Sequence, residues 1–155
     1  MAELITWLFT SRLANLKLLQ LLCSIITILF LIDGRLQWGI YTVIFITTII
    51  LSVLTFLTLV VYFLRLQNQS GLPWIHIEIL FNAAAAILCF IFAAILIYDY
   101  AKMAGGEFRH HKHLPPATIG QDGWRNRVLV IVFVQILNAI FYFVSLYRTK
   151  ALGLK

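Results

Sequence analysis

The stretch GIYTVIFITTIILSVLTFLTLVVYFL, residues 39–64, contains no charged side chain. As an α-helix rising 1.5 Å per residue it would measure about 39 Å, more than the ~30 Å hydrocarbon core of a bilayer. It is rich in Ile, Val and Thr, which favour strands elsewhere. Yet it shows no apolar–polar alternation, and a membrane barrel needs many shorter alternating segments. In lipid every backbone N–H and C=O must be satisfied within the span, which leaves the α-helix. This run therefore reads as a transmembrane helix.

Three further runs have the same character: residues 13–32, 72–98 and 128–147. Of the 155 residues, 62% are hydrophobic and only 12% charged, and mean hydropathy is +0.95. A water-soluble domain of this size cannot hide that much apolar surface. The fold class expected is an all-α integral membrane protein, a bundle of four transmembrane helices forming a single domain over 1–155. Within it, 1–12 reads as an interfacial N-terminal segment or a helical extension of the first span. Residues 99–127 form a basic, histidine-containing loop and 148–155 a short basic tail. The first run ends in Asp33-Gly34-Arg35 without a small-residue cleavage site, so it reads as a retained signal anchor. Cys23 and Cys89 lie inside apolar runs and read as small core hydrophobes, not as a loop-stapling pair. Trp7, Trp38, Trp74 and Trp124 fall near expected membrane boundaries, as an aromatic belt requires.

Each span carries one weakly polar stripe at spacings of three and four, which place it on one helix face. The stripes are Gln20, Ser24 and Thr27; Thr48, Ser52, Thr55, Thr58 and Tyr62; Trp74, Glu78, Asn82, Ala85/Ala86, Cys89 and Ala93; and Gln135, Asn138, Tyr142 and Ser145. Small residues let helices approach in lipid, and polar side chains bond across the interface. Trp74, Glu78, Asn82, Gln135, Asn138 and Gln20 are therefore the expected helix-interface residues. An acid within a span needs a partner; for Glu78 the candidates are Lys17 and Gln20. The main reading of Glu78 is a packing acid, with an ion relay or a headgroup contact as rivals. Asp33 and Asp99, at span ends, are expected to be served by water.

Arg109, His110, His111, Lys112 and His113 form a basic cluster in the third connection. It suits anionic headgroups or an acidic partner. Three histidines can hold zinc, but with no cysteine and no evident acid beside them no metal site is expected. No nucleophile–base pair, glycine-rich phosphate loop or metalloprotease motif occurs, so no catalytic residue, cofactor or enzymatic activity is expected. No basic run interleaved with exposed aromatics points to nucleic acid.

The third span opens Leu72-Pro73-Trp74-Ile75-His76-Ile77-Glu78-Ile79-Leu80-Phe81-Asn82 and continues through four alanines. A boundary Pro-Trp, an acid one turn later, then Asn and a small-residue run resemble the third span of MARVEL-domain proteins. Plasmolipin, chemokine-like-factor relatives and the small myelin-and-lymphocyte-type proteins are similar in size and layout, over about residues 13–147. The resemblance implies cytosolic tails and a role in membrane apposition, vesicle trafficking or cell junctions without catalysis. It further implies partners among membrane lipids, other membrane proteins or copies of the chain, at the plasma membrane or on secretory or endosomal vesicles. A long first connection, loop cysteines and a long tail are missing, which puts occludin-like adhesion through large extracellular loops and tail-borne scaffolding in doubt. The alternative is an accessory subunit or a small oligomeric channel or transporter. Basic flanks barely orient the chain: Arg12, Lys17, Arg65, Arg148, Lys150 and Lys155 stand on the tail side against Arg35, Lys102, Arg109, Lys112, Arg125 and Arg127. The first helix, with Arg12 and Lys17 at its start and Arg35 after it, leans toward a cytosolic N-terminus.

Overall fold

The computed structural model describes residues 11–66 and 71–153. The expected interfacial segment therefore lies almost wholly outside the described residues. Among the described residues there are four α-helices and no strand: α1 (Arg12–Leu31), α2 (Gly39–Phe63), α3 (Trp74–Ala104) and α4 (Gly120–Leu152). All four are long and apolar enough to cross a membrane. They form an up-down four-helix bundle in which α3 lies closest to α4, and α1 packs between α4 and α2.

Local chemistry sets the helix ends. The Ser11 hydroxyl accepts from the Ala14 N–H and caps α1, as N-cap serines do. α3 runs six residues beyond the expected boundary at Tyr98 and stops at Gly105-Gly106. There the N–H groups of Gly105, Gly106 and Glu107 close on the carbonyls of Ala101, Lys102 and Met103. Gly106 adopts φ 77°, a left-handed conformation that glycine takes without a Cβ penalty. α4 begins at Gly120, eight residues earlier than expected. Asp122 sits in its first turn, where the helix dipole favours an anion, and pairs with Arg125 at 3.1 Å. The expected loop 99–127 thus contracts to residues 105–119. At 31 and 33 residues, α3 and α4 reach about 46–50 Å and can project beyond the ~30 Å hydrocarbon layer.

The core falls into two parts. Toward the third connection, Leu31, Tyr41, Ile44, Leu96, Met103, Trp124, Val128 and Ile131 pack together. Further along, Leu51, Ala85, Cys89, Ala139 and Tyr142 form a second cluster. Its alanines and cysteine keep the α3–α4 contact close, the device by which spans associate where lipid offers no hydrophobic contrast. Cys23 and Cys89 are free and buried. Trp124 departs from the expected belt, being fully buried. Gly34 makes room for it, since a Cβ at that position would run into the indole ring.

Candidate functional site

Among the described residues, two buried polar centres stand at opposite ends of the bundle. The first, at the end that carries the chain termini, is built on the α3 stripe. Glu78 and Asn82 are one helical turn apart, so both point inward at the same level. The Asn82 amide donates to Glu78 Oε1 at 2.6 Å and to the Glu78 carbonyl at 2.8 Å. Lys17 of α1 reaches across the bundle, with its Nζ 2.5 Å from Glu78 Oε1 and 3.1 Å from Asn82 Oδ1. The ammonium also lies 5.1 Å from the Phe81 ring centre. Lys17, Glu78 and Asn82 are all buried, and Tyr62 brings its hydroxyl toward the carboxylate from α2. Of the two partners expected for Glu78, Lys17 takes the role.

From this ion pair a polar ladder runs along the α1–α4 interface. Gln20 donates to the Phe141 carbonyl at 3.3 Å, Asn138 to Ser24 Oγ at 3.4 Å and Gln135 to Thr27 Oγ1 at 3.4 Å. Thr55 of α2 and Tyr142 of α4 share a hydrogen bond of 2.8 Å. Five of the six expected interface residues, Gln20, Glu78, Asn82, Gln135 and Asn138, are thus buried between helices. Trp74, at the start of α3, is half-buried.

The second centre sits where α3 overhangs. Asp99, expected to be served by water, has no solvent exposure, because the shortened connection folds back over it. His110 Nε2 and His111 Nε2 lie 2.6 and 2.9 Å from Asp99 Oδ1. The Tyr41 hydroxyl of α2 donates to Asp99 Oδ2. Trp124 Nε1 of α4 in turn donates to the Tyr41 oxygen at 3.2 Å. Trp38 meets His110 edge-on at 5.2 Å between ring centres, and Phe108 meets His111 at 5.8 Å. Of the five residues of the basic cluster, Arg109, Lys112 and His113 are exposed, whereas His110 and His111 turn inward onto Asp99. An acid therefore does stand beside the histidines, eleven and twelve positions earlier in the chain. The Gly105-Gly106 reversal after a helix-terminal acid is the sequence signal for it.

Further contacts hold the connections against the bundle. The Lys112 N–H donates to the Gln37 carbonyl at 2.6 Å, and Arg127 binds Asp33 at 2.6 Å. Lys102 donates to Glu107 at 2.6 Å across the turn, and this hydrogen bond and charge hold the Glu107 carboxyl below its ordinary pKa. Lys17 is spent inside the bundle, so it leaves the set of basic residues able to orient the chain at the membrane surface.

No known protein family, no curated protein and no solved structure matches this chain.

Proposed function

We propose that this chain is a non-enzymatic four-span protein that organises membrane by lateral contact, in apposition, vesicle trafficking or cell junctions, as its MARVEL-like third span implies. The observation that carries the reading is the division of labour between helix faces. The buried polar stripes of the spans turn to one another inside the bundle, and the outer faces are mostly apolar, with His76 near the start of α3 an exposed exception. α2 shows this most: Val43, Ile46, Ile50, Val53 and Leu57 are all exposed, and its apolar window is the least buried of the four. Such a surface suits lipid tails and a second copy of the chain or another membrane protein. In this reading the tails are cytosolic, and Arg109, Lys112 and His113 meet anionic headgroups or an acidic partner.

The test is oxidative cross-linking in native membranes of single cysteines placed on α2. Val53→Cys and Leu57→Cys are expected to trap a dimer, while Val128→Cys, buried in the bundle, is not. The background is low because Cys23 and Cys89 are buried. Absence of cross-linking along α2, together with uniform distribution in the membranes of contacting cells, would count against the reading.

A second reading, a small oligomeric channel or accessory subunit, is favoured by one feature. The side-chain oxygens of Gln20, Gln135 and Asn138 are buried without a hydrogen-bond partner among the described residues, and in a conducting state they would face water. Ion flux in liposomes above an empty-vesicle control, lost in Glu78→Gln, would support it.

A further inference from the structure

We propose that Asp99, His110 and His111 form a binding site for one divalent transition-metal ion of the zinc type, which clamps the third connection onto the end of the bundle. Three potential ligand atoms, one from each residue, lie within 4.8 Å of one another. Two imidazole nitrogens and one carboxylate oxygen are donors for Zn²⁺, whereas Mg²⁺ and Ca²⁺ prefer all-oxygen shells. Ligand atoms sharing a tetrahedral zinc stand about 3.3 Å apart, given metal–ligand bonds near 2.0–2.1 Å. From the present 2.6 and 2.9 Å between the nitrogens and Asp99 Oδ1, each nitrogen needs to part from that oxygen by less than 1 Å. Water would take a fourth position, as at zinc sites with three protein ligands.

The surroundings make this a built site. Ligating carboxylates are normally oriented by outer hydrogen bonds. Here Tyr41 of α2 holds Asp99 Oδ2, and Trp124 of α4 holds Tyr41. Trp38, Tyr41 and Phe108 rings flank the two imidazoles. The His111 side chain is 1% exposed and that of His110 25%, so the ion's entry lies on the His110 side. A fully buried carboxylate also needs positive charge beside it. Among the described residues, its ion-pair partners are these two histidines. A bound divalent ion supplies that charge with both imidazoles neutral.

The experiment uses the full chain in detergent, purified without a polyhistidine tag and stripped with chelator. It is titrated with Zn²⁺, and with Co²⁺ as a spectroscopic probe. The expected result is saturation at one ion per chain, the visible absorption of four-coordinate Co²⁺ and a Tm raised by several degrees with Zn²⁺ but not Mg²⁺. His110→Ala and Asp99→Asn should each weaken binding at least tenfold. His113→Ala, which alters an exposed neighbour outside the cluster, should leave it unchanged. His110 is partly exposed, so its variant keeps the test valid if Asp99→Asn fails to fold. No saturable binding, or binding that survives His110→Ala, overturns the proposal.

Discussion

Lys17 and Glu78 are opposite charges sealed from both water and lipid, and each is tolerable there because of the other. Removing one partner of a buried pair leaves an uncompensated charge and costs about 3–5 kcal/mol, whereas replacing both with apolar groups is often neutral. Lys17→Met and Glu78→Leu should each lower the unfolding free energy in detergent by that order, without blocking membrane insertion. The double variant should recover most of the loss. Additive losses in the double variant would mean that the two charges act separately. Gly34 is a residue of the opposite kind, needed for what it lacks. A methyl group at this position meets the fully buried Trp124 ring and the Gln37 side chain. Overpacking of this sort costs about 1–3 kcal/mol. Gly34→Ala should therefore destabilise the protein and shift tryptophan emission as the indole moves; an unchanged spectrum and midpoint would show that the ring yields freely.

At the scale of elements, apolar length and periodicity made the four helices and their inward faces legible. Polar stripes such as Gln135–Asn138–Tyr142 sit where a 3.6-residue repeat puts them. The helix ends were less legible. Tyr98, Asp99, Tyr100 and Lys102 read as a membrane exit, and hydropathy stops there. Hydrogen bonding does not stop, and α3 continues to its glycine cap. Likewise the polar turn Gln121–Arg127 belongs to α4 because a helix can extend into water as readily as it crosses lipid. The glycine cap also aims the third connection back over the end of the bundle. Gly106 has φ 77° with open space around a would-be Cβ, so the cost of Gly106→Ala is backbone strain alone, roughly 1–2 kcal/mol. That variant should speed amide hydrogen exchange in residues 107–119 more than in the bundle core; equal exchange in both would mean that the turn does not hold the connection.

For the whole molecule, orientation in the membrane is the property on which the proposed function depends most. With Lys17 paired inside the bundle, α1 has Arg12 before it and Arg35 after it, so its flanks no longer favour either direction. The proposed cytosolic tails then rest on the MARVEL resemblance. Thr118→Cys places an accessible thiol in the third connection, where Thr118 is exposed. In intact cells it should react with a membrane-impermeant maleimide, while an N-terminal epitope stays hidden until permeabilisation. The reverse pattern would invert the topology and remove the basis for the resemblance.

The sequence by itself determined that the chain is helical, spans a membrane four times and turns one polar face of each span inward. These properties follow from hydropathy and periodicity, which are local along the chain. The tertiary structure alone decided that Lys17 joins Glu78 and Asn82, that Trp124 fills the space over Gly34, and that Asp99 meets His110 and His111. Each of those choices depends on which helices become neighbours, how they rotate about their axes and how far they overhang. Contacts between elements set these quantities, and no single segment encodes them.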